Sequence, residues 1–395
     1  MRSFPEKRIK NIAILETIRR KGPISRMDIS KIIGINPVTV SNYIERYIKE
    51  NIVFEKTSEI STGGRPPILV NLNPQAGYAI GVGINLFGVV GVIIDMEANI
   101  IDRVKLERPF ISSFQVPQVI CEAISELLNK NSLIKDNIKG IGVGVAGIVD
   151  KSRGTVKWPK KVNGGYIYES ITFPLKEFVE KKFYIPTIVE NDATCACFAE
   201  WWIALPQEIQ NVIYMFSGVG MGLLLGGRIY TGSFGCAGEP SLRNCPEQLE
   251  CSWAGTCILR RQEGDLGIVE EVKRRLSRGE DSSIRNSGDN LDLRKVFEAA
   301  QEGDSLISEV LQKAGERLGI KIAFLVNIFN PQIVVIGGGI ENAGSIFMDA
   351  VQRAVEEWAF EDMTKNLRIV GSSLGEDSIA LGGASLIVRE VFANC

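Results

Sequence analysis

The chain has 395 residues, 45 Lys and Arg against 47 Asp and Glu, and a hydrophobic share of 45%. It is too long for one core and apolar enough for two or three. It holds no histidine, which excludes histidine acid–base chemistry and every histidine-bearing metal site. A net charge of −2 and a pI of 5.7 exclude nucleic acid wrapped around the whole molecule.

That charge is unevenly divided. Residues 1–72 carry thirteen Lys and Arg and seven Asp and Glu, a balance of +6 that leaves −8 for the rest. This is a basic module on an acidic body. No secretory signal and no long apolar run occurs, which predicts a soluble, cytoplasmic chain without membrane contact. Eight cysteines in that setting read as thiols or metal ligands, not disulfides.

The stretch from Ile24 to Asn51 reads as two short helices joined by a tight turn. Ser25 caps the first, which is apolar at Met27, Ile29, Ile32 and Ile33, and Gly34 ends it in a left-handed cap. Asn36 caps the second and Pro37 fills its first turn. Val40, Tyr43, Ile44, Tyr47 and Ile48 form its buried stripe. Val38, Thr39, Ser41 and Asn42 are left facing out near its start, where short side chains suit base edges in a major groove. An ordinary helical hairpin is the alternative. A wing follows, with strands at 52–54 and 68–70. Between them Gly63-Gly64-Arg65-Pro66-Pro67 presents Arg65 on a stiff run suited to a minor groove. A hinge with a solvated arginine is the alternative there. Asn36, Val38, Thr39, Ser41, Asn42, Arg46 and Arg65 form the candidate DNA-contacting set. Three domains are expected: 1–72 binds DNA, 73–190 is a first α/β lobe, and 191–395 is a second lobe whose last helix returns to the first.

From Gly77 onward apolar strands alternate with helices. Strands at 78–84 and 89–94 flank the turn Asn85-Leu86-Phe87-Gly88. A helix at 116–128, strands at 139–145 and 187–190, and a helix at 193–202 follow. Strands at 212–216 and 222–225 flank a glycine turn. A long helix at 305–327 precedes a strand at 333–336 that runs into Gly337-Gly338-Gly339, and helices at 349–360 and 380–391 close the chain. Strand–glycine turn–helix units in this number predict two α/β lobes around a cleft.

Four segments in this order resemble the ROK family of sugar-responsive repressors and sugar kinases. They are Gly142–Asp150 (GVGVAGIVD), Val189-Glu190-Asn191-Asp192-Ala193, Gly218–Gly222, and Asn330–Gly339 (NPQIVVIGGG). The resemblance implies an actin/hexokinase-like body, and the N-terminal module resembles the repressor branch. The family's kinases open their first phosphate loop with an aspartate followed by Gly-Gly-Thr. Here Gly83 stands at the aspartate and Asn85-Leu86-Phe87 at the glycines and threonine. Phe216 replaces a glycine of the second loop. Phosphoryl transfer needs close backbone donors and a carboxylate near the metal, so the departures imply a non-enzyme. Gly337-Gly338-Gly339 is then a structural turn.

On the sugar side Asp192 matches the family's catalytic base and Asn191 its neighbour. Gly147, Asn163 and Glu239 complete the implied sugar-binding set. Tyr166, Leu242 and Leu259 replace a tryptophan, a histidine and a glutamate of the pattern. Asp192 as a helix cap is the alternative. The family's structural zinc would fall to Cys245, Cys251 and Cys257, with Cys236 near; Trp253 interrupts that run, and plain buried thiols are an equal reading. Cys195 and Cys197 read as core. The expected protein is a DNA-binding regulator, a repressor by resemblance, whose body senses a sugar or polyol. The competing readings are an ATP-dependent sugar kinase with an accessory DNA-binding domain, and a regulator that needs no ligand. A homodimer is expected, since one helix-turn-helix reads only a short half-site.

Overall fold

The computed structural model describes residues 3–57, 67–107, 115–162, 165–168, 172–217, 220–240, 252–253, 256–257, 267–285 and 291–395. The N-terminal module begins with a helix that periodicity did not announce, α1 (Ser3–Lys21). Strand β1 (Ile24–Ser25), helices α2 (Arg26–Ile33) and α3 (Pro37–Lys49), and strands β2 (Val53–Thr57) and β3 (Ile68–Leu72) follow. The strands form one antiparallel sheet in the order β1-β3-β2, so this is a winged helix-turn-helix. Ile14, Leu15, Ile18, Ile29, Val40, Ile44 and Tyr47 are its buried core. Met27 and Ile32, expected on the inner face of α2, are 53% and 44% exposed. An eight-residue helix has one narrow inner face, and Ile29 fills it.

The first lobe comprises β4 (Tyr78–Ile84), β5 (Val89–Asp95), β6 (Ile100–Leu106), α4 (Gln115–Lys130) and β7 (Ile138–Val145). Two small hairpins come next, β8 (Ile148–Asp150) with β9 (Thr155–Lys157) and β10 (Pro159–Val162) with β11 (Gly165–Tyr168). Helix α5 (Leu175–Phe183) and β12 (Thr187–Asn191) finish it. Its sheet runs β12-β7-β4-β5-β6. The second lobe starts with α6 (Asp192–Ala199), which continues into a single π turn, Glu200–Ala204. Then come β13 (Val212–Phe216), β14 (Gly220–Leu225), β15 (Arg228–Ile229), β16 (Ser252–Trp253) and β17 (Thr256–Cys257). Helices α7 (Ile268–Ser277), α8 (Leu293–Gln301) and α9 (Ser305–Phe329) lead to β18 (Ile333–Gly337). Helices α10 (Ser345–Trp358) and α11 (Glu361–Thr364), strand β19 (Arg368–Gly371) and α12 (Ser378–Asn394) complete the chain.

The two main sheets repeat one pattern. In each, an antiparallel three-strand meander is extended by two parallel strands: β6-β5-β4-β7-β12 and β15-β14-β13-β18-β19. The lobes then exchange helices. Helix α6 follows the last strand of the first sheet and packs on β13 and β14 of the second. Helix α12 follows the last strand of the second and packs on β4 and β7 of the first.

That exchange explains the glycines of β4 and β7. A Cβ at Gly81 would lie 1.9 Å from the Ala380 carbonyl oxygen, and one at Gly142 1.9 Å from that of Gly383. Backbone of α12 rests directly on backbone of the sheet, a contact only glycine permits. Cys195 and Cys197 are buried in the same layer. The core of the N-terminal module is continuous with it, through Ile14, Leu15 and Ile18 to Trp202 and Phe392.

Candidate functional site

On the DNA side, Ser25 Oγ accepts the Asp28 N–H at 3.1 Å, and Gly34 takes a φ of 66° to end α2. Asn36 Oδ1 accepts the Val38 N–H at 2.9 Å and starts α3. Asn36, Val38 and Asn42 are exposed and Thr39 and Ser41 half-buried. Val38 is 68% exposed, an apolar side chain held out at the start of α3.

Arg46 departs from that set. Its guanidinium turns back to donate to Asn11 Oδ1 at 2.7 Å and lies 4.7 Å from the Tyr43 ring centre. The reason is Asn11, a fully buried amide whose oxygen also takes the Tyr47 hydroxyl at 2.8 Å. A buried amide needs its partners, and Arg46 supplies one. Arg65 lies outside the described residues.

Of the residues expected to bind sugar, Gly147, Asn191 and Asp192 gather where β12 meets α6. Asn191 caps α6, accepting the Thr194 N–H at 3.2 Å, and its amide donates to the Gly147 carbonyl at 3.3 Å. The cap role is therefore Asn191's, and Asp192 is the first helical residue. Asp192 is 5% exposed, and its Oδ1 accepts the Ala193 N–H at 2.8 Å. Gly147 sits at φ 117°, where a Cβ would come 2.5 Å from the Lys157 carbonyl oxygen.

Two neighbours escaped the sequence reading. Glu190 is 4% exposed, ion-paired with Lys151, and accepts the Asn191 N–H at 2.8 Å. Burial pushes its carboxyl up, against the pull of Lys151. Glu190 opens the Glu-Asn-Asp-Ala run, so its place in the motif was the available signal; Lys151 had none.

Glu239 reaches the region on a strap. Gly238 accepts the Met221 N–H at 2.9 Å, and β14 crosses the start of α6 so closely that a Cβ at Gly222 would lie 2.3 Å from the Ala193 carbonyl oxygen. Burial raises the Cys236 thiol, and the carboxylates of Asp150, Glu239 and Glu190 around it push it further. A cavity of about 610 Å³ opens beside this cluster, walled by Ile148, Lys151, Thr155, Ser233, Phe234 and Cys236. Asn163, Cys245 and Cys251 lie outside the described residues. Cys257 is placed only by its backbone, paired with Ser252. Among the described residues no three Cys, Asp or Glu gather as a metal-ligand set, and no helix is long and apolar enough to cross a membrane.

The opposite side of the cleft carries the glycine turn after β18. A Cβ at Gly338 would lie 2.8 Å from the Phe216 ring, and one at Gly339 2.5 Å from the Phe87 ring. Two aromatic rings thus rest on the turn. Arg294 lies over Phe87 at 5.1 Å and donates to its carbonyl at 3.3 Å. Asn85 is buried and folds the first loop on itself, accepting the Phe87 and Gly88 N–H groups at 2.8 and 3.0 Å. At Gly83 a Cβ would fall 2.5 Å from the Cβ of Ile379. The space an aspartate would need there belongs to α12.

Glu341 accepts the Gly339 N–H at 2.7 Å, while its second oxygen is buried without a partner. Burial pushes its carboxyl up to about 7; the backbone donors oppose this and the carboxylates of Glu200 and Glu376 add to it. Between its ordinary 4.5 and about 7 the folded chain keeps a proton that the unfolded chain has released. Stability therefore falls as pH rises through that window. Glu341→Gln removes this titration and should add about 1–2 kcal/mol at pH 8 relative to pH 4. Urea midpoints across pH check it, and a pH-independent difference contradicts it.

The ROK family matches residues 78–390. The xylose repressor of Caldicellulosiruptor bescii is 28% identical over 98% of this chain and 97% of its own. The DNA-binding transcriptional dual regulator NagC of Escherichia coli K12 is 25% identical over 97% and 93%. Among solved structures, a ROK family transcriptional regulator, a homolog of the E. coli MLC protein, superposes with a TM-score of 0.78 at 24% identity, over 98% of this chain and 97% of its own. A ROK family glucokinase from Streptomyces griseus, solved with glucose and AMPPNP, does so with a TM-score of 0.65 at 24% identity, over 78% and 99%.

Proposed function

The chain belongs to the ROK family, and on that premise we propose that it is a sugar-responsive transcriptional repressor whose body binds its effector without phosphorylating it. The observation that carries this reading is the contrast between the two sides of the cleft. Asn191, Asp192, Glu190 and Gly147 are assembled beside a cavity, and a carboxylate with an amide on one strand-to-helix turn holds a diol through several hydrogen bonds. On the other side Phe87 and Phe216 cover the glycine turn and Ile379 occupies the aspartate's place. Phosphoryl transfer depends on backbone donors reaching the phosphates, and these side chains stand in that approach. A kinase with an accessory DNA-binding module is favoured only by Asp192. Relatives are named xylose repressor and N-acetylglucosamine repressor, so D-xylose and N-acetylglucosamine are the first effectors to try.

The basic module supplies DNA binding. If it meets about six phosphates, log K falls with log salt at a slope of about −5. Thr39→Ala should cost ~1–3 kcal/mol on the specific site alone, while Arg65→Ala should weaken binding most at A/T-rich flanks. Titrations against a duplex selected from a random library check both; equal losses on every sequence contradict the division. A homodimer would set two reading helices on half-sites about 34–36 Å apart. Sedimentation velocity of the full chain should give two chains per particle, and a monomer at micromolar concentration with and without DNA contradicts this.

A further inference from the structure

Helix α1 is tied to the body near its start and again towards its end, where Glu16 also pairs with Arg389 of α12 at 3.3 Å and accepts the Trp202 indole N–H at 3.3 Å. Near its start, Arg8 pairs with Glu390 at 2.8 Å and Asn11 donates to the Ala393 carbonyl at 3.1 Å, both on α12. The same Asn11 holds Arg46 and Tyr47 of the reading helix, so α1 and α3 move as one. Near its end, Arg19 donates to the Trp202 carbonyl at 2.6 Å and lies over the Trp202 ring at 3.8 Å. Arg20 donates to the Trp201 carbonyl at 3.1 Å and lies over that ring at 5.0 Å. The carbonyls that close a helix have no partner inside it, and here two guanidinium groups from another domain take them. Arg8 and Arg19 are eleven residues apart, about 16 Å of helix. A shift at the far point therefore tilts α1 about the near one.

The far point is the π turn Glu200–Ala204. It ends α6, the helix that begins with Asn191 and Asp192 and is buried along its whole length. Its first residue, Glu200, is 1% exposed. Glu200 accepts the Ser372 and Ser373 hydroxyls at 2.5 and 2.7 Å and the Leu374 N–H at 3.0 Å. Those three residues follow β19, the edge strand of the second sheet. One turn thus joins the end of α6, the segment after β19 and the DNA-binding module. π turns are rare and recur at functional positions.

We infer that this π turn is the coupling element of the repressor, and that Arg19 and Arg20 are the positioning residues that carry its displacement to the reading helix. The inference rests on the sugar-responsive reading above. A change in lobe angle moves the turn, which Glu200 holds to the second lobe, against α12 on the first sheet; the Trp201 and Trp202 carbonyls move with the turn, and the end of α1 follows. A ligand shifts such an equilibrium only by its differential affinity for the two states, and the turn is where the two states differ in contacts.

The test uses the full chain and two readouts. Hydrogen exchange needs neither DNA nor sugar. Glu200→Gln should raise exchange over residues 3–21 by about tenfold, and adding Arg19→Lys with Arg20→Lys should raise it little further, because both changes break one link. Unchanged exchange in Glu200→Gln, or additive effects, overturns the inference. If the double lysine variant fails to fold, Arg20→Lys alone takes its place in both arms. In the second readout, wild type should release the selected duplex on addition of D-xylose or N-acetylglucosamine. The lysine variant should keep its duplex and sugar affinities within about threefold and lose the release. Release equal to wild type overturns the coupling. A wild type that answers neither sugar counts against the effector reading, while the exchange result still decides the coupling.

Discussion

Gly142→Ala should unfold the body. The added methyl would lie 1.9 Å from the Gly383 carbonyl oxygen and 2.2 Å from its carbon, and both are backbone in the middle of α12. Overpacking a core against side chains typically costs ~1–3 kcal/mol because they can adjust; here the neighbour is a helix that also contacts β4, β5, α6 and α1. More than ~3 kcal/mol of lost stability is expected, enough to consume much of a domain's margin. Because α12 joins both lobes and the N-terminal module, the loss should appear in one transition by circular dichroism and tryptophan fluorescence. A urea midpoint near wild type contradicts the packing described for the exchanged helices.

Asp192→Asn should lower sugar affinity by one to two decades and leave the fold intact. The carboxylate is buried at the first turn of α6, where it accepts the Ala193 N–H, and an asparagine oxygen can still do that. What is lost is the charged acceptor for sugar hydroxyls, worth ~1.5–3 kcal/mol. Calorimetry with D-xylose and N-acetylglucosamine reads the change, and ATP with magnesium should leave both values as they were. Equal affinity in the variant and wild type contradicts the placement of the sugar at Asp192.

Much of this architecture was legible in the residues. Gly34, Asn36 and Pro37 fixed the ends of two helices because each has one physical use at its position. The apolar runs before Asn85 and before Gly337 could only be buried strands. Helix α1 was not legible, since its buried face contains Asn11 and Thr17 beside Ile14, Leu15 and Ile18. Two polar residues broke the stripe: Asn11 is buried by a contact with α12 almost four hundred residues away, and Thr17 donates its hydroxyl to the Ala13 carbonyl of the same helix. The hold on Arg46 was hidden for the same reason: its partner Asn11 lies on that helix. Gly83 was correctly seen as lacking a carboxylate, but the cause, Ile379 packed over it, is a tertiary contact no local pattern carries. In the candidate site, Asn191 and Asp192 stood out as a motif. Lys151 became visible only through its pairing with Glu190.

The most direct test of the central claim is one titration with two signals. A labelled duplex selected by the chain is followed by fluorescence anisotropy while D-xylose, or then N-acetylglucosamine, is added in the presence of ATP and magnesium, and ATP consumption is recorded in the same sample. A fall in anisotropy on adding sugar, with ATP use no greater than in an Asp192→Ala control, is the predicted result. Sugar-dependent ATP consumption above that control, or a duplex that stays bound while calorimetry shows the sugar bound, would contradict the account.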